Sequence, residues 1–257
     1  MIELETAGLN RFALAVTPGV CVGPPDFQFL FGGAGLAAAV AALEAVTGRP
    51  TVWAAAQYLS YARPPSVLDL DVVVPVAGKH SSQARVTGHV EDTEILTVNA
   101  ALGSRPQALV AGWAAMPAAP PPDECEELTQ GWSRTDDDIR GRIDLRVASP
   151  RDPAPAGRSL LWARRLDGGA IDRVTLAVFA DFLPSGISAA LGRRAGGNSL
   201  DNTIRYVRVV PTEWVLLDTQ IDAVADGFGH GRMYLFAQDG TLMASASQSL
   251  IVRLPES

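Results

Sequence analysis

From Gly33 to Val46, within FLFGGAGLAAAVAALEAVTG, small and aliphatic residues occupy every face of a helix. A helix that is apolar all round is a buried one. Gly48 supplies its stop and Pro50 follows. Four strand-like runs come next, Val52 to Ala62, Val67 to Val76, Gln83 to Glu91 and Ile95 to Leu102. Their alternation of apolar and polar positions suits antiparallel strands with one buried face.

The same order recurs downstream. LLWARR (Leu160 to Arg165) reads as a strand, and Asp167 and Gly168 precede a helix from about Ile171 to Phe182, ended near Pro184 and Gly186. Strands follow at Ser199 to Val209, Trp214 to Ala223, Gly231 to Gln238 and Leu242 to Val252. LSYARP at Leu59 aligns loosely with IRYVRVVP at Ile204, and VEDTEILTVNAAL at Val90 with AQDGTLMASASQS at Ala237. A unit this long seen twice means two supersecondary units sharing a sheet, not a many-repeat solenoid. Between them, Pro117 to Arg158 is rich in proline and acid, which favours extended backbone. The expected organisation is an N-terminal unit over 1–116, a linker over 117–158 holding one short strand (Ile143 to Val147), and a C-terminal unit over 159–257.

Composition narrows the function. Hydrophobic residues make up 47% of 257, enough for a sizeable core. Mean hydropathy is +0.14, yet the longest nearly uncharged helical stretch, Phe31 to Leu43, falls short of the roughly 20 apolar residues of a membrane span. No membrane insertion is expected. The N-terminal MIELETAGLN lacks the basic and apolar regions of a signal peptide, so the expected location is cytoplasmic. A net charge of −7 with no Lys or Arg block argues against nucleic acid. One lysine, Lys79, against twenty arginines suggests GC-rich coding and a bacterial source. Cys21 and Cys125 form no CxxC pattern, and His80, His89 and His230 have no metal-site spacing. Neither a metal nor a cofactor is expected.

A buried helix followed by about four antiparallel strands, built twice, resembles the double hotdog of the acyl-CoA thioesterase II (TesB-like) family. FGG at Phe31 opens the first helix as in that family, and LLWARR resembles the strand that begins its second unit. AVFADFL (Ala177 to Leu183), SLDN (Ser199 to Asn202), EWVLLD (Glu213 to Asp218) and QDGTLMASASQS (Gln238 to Ser249) follow in the family's order. The resemblance runs from about Pro24 to Arg253 and implies an α+β tandem hotdog, two central helices each wrapped by an antiparallel sheet. It implies an acyl-CoA substrate, and it is compatible with a homo-oligomer.

Thioester hydrolysis needs an activated water, groups that orient it, and donors for the oxyanion. The resemblance puts the water-holding carboxylate, hydroxyl and amide of the family on Asp181, Ser199 and Gln248. The plainer readings are an acid on a solvent-facing helix surface, a loop serine and an edge-strand glutamine. Phe179, Phe182 and Leu183 leave Asp181 little solvent face, and a buried unpaired carboxylate costs several kcal/mol. Alternation sets Ala246, Gln248 and Leu250 on one face, where an amide demands partners. The first helix has no matching acid, only Glu44 near its end, and Ala101 or Leu102 stands where the second unit has Gln248. The chemistry is therefore expected in the second unit alone.

The oxyanion donor is expected to be a backbone N–H that sequence does not locate, and Gly32 and Gly33 permit close backbone approach. Two departures lie beside the expected site: the family's LDH reads LDN at Asn202, and its QEG reads QSL at Ser249 and Leu250. They motivate a second function, a non-catalytic acyl-thioester binding protein. A third, a hotdog hydratase or dehydratase, needs a histidine on the active helix, and none lies between His89 and His230. Arg193 with Arg194, or Arg205 with Arg208, could meet the phosphates of CoA.

Overall fold

The computed structural model describes residues 1–106, 109–129, 138–148 and 156–254. Two parts of the expected linker, 130–137 and 149–155, lie outside the described residues. The first half holds β1 (Glu5–Gly8), β2 (Arg11–Val16), β3 (Cys21–Val22), β4 (Phe29–Leu30), α1 (Gly32–Thr47), β5 (Thr51–Tyr58), β6 (Ser66–Ala77), β7 (Ser81–Val90) and β8 (Thr93–Gly103). Short strands β9 (Glu126–Glu127) and β10 (Ile143–Val147) lead into β11 (Arg158–Arg165). Then come α2 (Arg173–Phe179), a 3-10 run (Ala180–Gly186), α3 (Ile187–Leu191), β12 (Gly196–Ser199), β13 (Asp201–Tyr206), β14 (Val215–Ala225), β15 (Phe228–Ala237) and β16 (Leu242–Arg253).

One antiparallel sheet takes in every strand except β3 and β4, which pair with each other. Its order is β1-β2-β6-β7-β8-β5-β13-β16-β15-β14-β11-β10-β9, with β12 pairing to β16. The halves join at β5 and β13, where Gln57 opposes Asp201 and Trp53 opposes Arg205. The two helical segments pack on each other, and α1 packs against β5, β6, β7 and β8. One apolar core therefore runs through both halves, from Leu36 and Leu43 of α1 to Phe179 of α2 and Phe182 just beyond it.

The helix apolar on every face is buried as expected: Ala34 and every residue from Leu36 to Val40 are at 0% exposure. Its small residues allow this close approach. Gly48 ends it at φ 62°, with its N–H bonded to the Glu44 carbonyl.

The second helical segment departs from expectation. It does not stop near Pro184 and Gly186. Pro184 lacks an N–H and crowds the carbonyl one turn back, so the backbone tightens to 3-10 through Gly186 and then resumes as α3. Gly192, at φ 63°, is the true stop. The whole run, Arg173–Leu191, spans 19 residues and is long and apolar enough to cross a membrane. That overturns the expectation that every helical stretch is too short. Its most apolar 18-residue window is 61% buried inside the protein, as a core helix of such composition is.

Strand boundaries also move. The run expected over Val52 to Ala62 ends at Tyr58. Ser199 to Val209 splits at Leu200, whose N–H bonds to the Ser249 carbonyl, and ends at Tyr206. The hairpin of β1 and β2 had no counterpart in the sequence reading. Asn10, at φ 56°, turns it, and β2 extends the sheet beyond β6.

Candidate active site

Asp181 follows directly on α2, in the first turn of the 3-10 run, and is 4% exposed. Ser199 ends β12, opposite Leu250 of β16. Gln248 lies two residues before Leu250, so the strand period turns both inward with Ala246, and Gln248 is 3% exposed. These placements bring the three residues together. Asp181 Oδ1 accepts a hydrogen bond from Ser199 Oγ at 3.1 Å and another from Gln248 Nε2. Gln248 Nε2 also donates to Ser199 Oγ at 2.6 Å.

The other carboxylate oxygen is held from the first half. The Gly33 N–H, in the first turn of α1, donates to Asp181 Oδ2 at 2.7 Å. This contact corrects the expectation that the second unit alone furnishes the polar groups. It also settles what the glycines do. A Cβ on Gly32 would stand 2.7 Å from Asp181 Oδ2, and one on Gly33 would stand 2.6 Å from the Val178 carbonyl oxygen. Both are required for close packing. Since its N–H is engaged by Asp181, Gly33 is not a free oxyanion donor.

Burial pushes the Asp181 carboxyl from 3.8 up to about 6, and the donors Gln248, Gly33 and Ser199 hold it from rising further. Two more polar groups stand close by. The Tyr58 ring enters from β5, with its hydroxyl 3.2 Å from where a Gly32 Cβ would sit. Burial, with Asp181 and then Asp201 adding to it, pushes that phenol well above 10. Asn202, the departure noted in SLDN, is at 0% exposure and its amide faces both Asp181 and Tyr58. Tyr58 was missed in the sequence. Alternation along β5 carries the signal, since Ala54, Ala56 and Tyr58 share the inward face.

A cavity of about 1550 Å³ opens onto this cluster. Gly32, Tyr58, Asp181 and Ser199 line it, and Phe31, Leu96 and Phe182 give it apolar walls. Exposed Arg193, Arg194 and Arg253 line it as well, while Arg205 and Arg208 do not. Arg158 also borders it, tied by two 2.7 Å hydrogen bonds to Asp218. Among the described residues, no group of three or more His, Cys, Asp and Glu side chains could hold a metal ion.

Solved structures of the same architecture exist. A Novosphingobium aromaticivorans protein assigned as a thioesterase is 38% identical, with 96% of this chain and 97% of that one covered at a TM-score of 0.91. The acyl-CoA thioesterase II TesB2 of Mycobacterium marinum is 21% identical, covering 99% and 96% at a TM-score of 0.78. A hot dog fold protein from Alicyclobacillus acidocaldarius is 17% identical, covering 99% and 97% at a TM-score of 0.85. No curated protein sequence matches. The acyl-CoA thioesterase C-terminal domain matches residues 114–252. With that match over more than half its length, the chain belongs to the TesB-like acyl-CoA thioesterase family.

Proposed function

We propose that the protein is a double-hotdog acyl-CoA thioesterase that hydrolyses fatty acyl-CoA to free acid and CoA, in the cytoplasm of a bacterium. One observation carries this reading: a buried carboxylate titrating at about 6, held by a hydroxyl and an amide, faces a large cavity with apolar walls. The cavity exceeds the roughly 300 to 1,000 Å³ of ordinary small-molecule pockets, as a long flexible substrate requires.

The chemistry follows from the geometry. Asp181 is mostly ionised at neutral pH, yet basic enough to take a proton from water. Ser199 and Gln248 fix the direction in which its free lone pairs point. Water attacks the thioester carbonyl carbon as Asp181 removes its proton, and the carbonyl π pair moves onto oxygen. When the tetrahedral intermediate collapses, the C–S bond breaks and the CoA thiolate takes the proton from Asp181. The positive end of the α1 dipole, with its first turn against Asp181, favours the negative charge of the resting carboxylate.

The test is incubation with acyl-CoAs of graded chain length in heavy-oxygen water. Release of free thiol, with one heavy oxygen in the acid, is the expected result. Tight binding of every acyl-CoA without thiol release would make this a binding protein and overturn the hydrolytic reading.

A further inference from the structure

Among the described residues, seven buried side-chain polar atoms have no hydrogen-bond partner, and four of them surround Asp181. They are the Tyr58 hydroxyl, both amide atoms of Asn202 and Gln248 Oε1. Buried polar atoms are nearly always paired, because each orphan costs about 1–3 kcal/mol. Orphans scattered through a protein are defects of packing. Of the four, only the Tyr58 hydroxyl belongs to a residue that lines the cavity, so it is the one whose missing partner a ligand there can supply.

Tyr58 carries the point furthest. Another tyrosine of the joined β5–β13 pair, Tyr206, plays a structural part: its hydroxyl donates to the Arg173 carbonyl at 2.8 Å. Tyr58 has no such bond, although its ring lines the cavity beside Gly32 and Asp181. Its phenol stays protonated throughout the working range, so it is a donor. The Gly33 N–H, already bonded to Asp181, is committed elsewhere.

Resting on the hydrolytic reading above, we propose that the Tyr58 hydroxyl is the oxyanion donor. The first half of the chain thereby contributes a catalytic residue. As water adds to the carbonyl carbon, the π pair settles on the carbonyl oxygen, and the Tyr58 O–H donates a hydrogen bond to it without transferring its proton. Asp181 takes the proton of the water and returns it to the departing thiolate.

Tyr58→Phe deletes one oxygen and no packing volume. It should lower kcat about 100-fold with KM nearly unchanged. The pH limb set by Asp181 should stay near its wild-type position, and the thermal midpoint should not fall, because an unpaired hydroxyl is lost. Full activity in a folded Tyr58→Phe variant would overturn the proposal and leave thioester hydrolysis standing. A fall in activity matched by a fall in the thermal midpoint would make Tyr58 structural and overturn it too.

Binding tests the donor without turnover. One probe is octanoyl-dethia-CoA, in which methylene replaces sulfur and the carbonyl stays; the other is the octyl thioether of CoA, which has no carbonyl. Tyr58→Phe should weaken the first about five-fold by calorimetry, one hydrogen bond's worth, and leave the second unchanged. If wild type fails to release thiol but this difference holds, the hydrolytic reading falls and the Tyr58 contact survives. If the variant binds both probes as wild type does, or wild type binds neither, Tyr58 is not the carbonyl donor.

Discussion

The Gly33 N–H and the Asp181 carboxylate are 148 residues apart in sequence and 2.7 Å apart in space. This hydrogen bond ties the first turn of the N-terminal helix to the acid of the C-terminal half. The site is therefore a property of how the halves pack, not of either half.

Gly33→Ala tests that packing. The added Cβ would meet the Val178 carbonyl oxygen at 2.6 Å and the Asp181 Cβ at 2.9 Å, both on a rigid helical segment. The helices must separate, at a cost of about 1–3 kcal/mol. We expect a thermal midpoint lower by several degrees and activity reduced at least tenfold. An unchanged midpoint with full activity would show that the helices have slack.

The pH dependence follows from Asp181. Its carboxyl titrates at about 6 in the folded protein against 3.8 when exposed. Activity should fall about tenfold per pH unit below that value and level off above it. Gln248→Met removes a donor that favours the charged form, so the limb should move to higher pH while the plateau drops. Ser199→Ala should move it the same way by less. A limb that stays in place in Gln248→Met would detach Gln248 from the acid.

Stability has the opposite sign. A carboxyl whose folded value is raised stabilises the fold in its neutral form, fully below about pH 4 and progressively less as pH rises through about 6. The ionised form costs on the order of 3 kcal/mol at neutral pH. Asp181→Asn does not titrate. Its melting temperature relative to wild type should therefore rise between about pH 4 and pH 7. A constant difference across that range would place the titration elsewhere.

Much of this was legible in the sequence, for identifiable reasons. A helix apolar on every face has only one place to go, and α1 goes there. Alternation alone sets Gln248 on one face with Ala246 and Leu250. Apart from Tyr58, which alternation along β5 marks, the features that the sequence does not announce lack a local signature. The β1–β2 hairpin is short and largely exposed, so it carries little apolar pattern. Pro184 reads as a stop because a regular α-helix cannot absorb it, whereas a 3-10 turn can. The Gly33–Asp181 bond joins distant segments through a backbone N–H, which no residue type announces. Reading the second unit as self-sufficient followed from its side chains alone, and the backbone of α1 and the Tyr58 ring complete the site.

The Arg158–Asp218 pair also gives a stability prediction. Their paired 2.7 Å hydrogen bonds join β11 to β14, and Asp218 is 8% exposed. Arg158→Met strands that carboxylate, at a cost of about 2 kcal/mol given that the arginine is part exposed. Thermal unfolding should shift down by roughly 5 °C. No shift would mean that water satisfies Asp218 without its partner.

On the proposed reading, Asp181 activates water against an acyl thioester. The most direct test is the steady-state rate of thiol release from octanoyl-CoA at about pH 8, wild type beside Asp181→Asn, with both shown to be folded by thermal melting. A rate lower by about a hundredfold or more in the variant is the expected result. Equal rates in the two proteins would show that Asp181 is not the base.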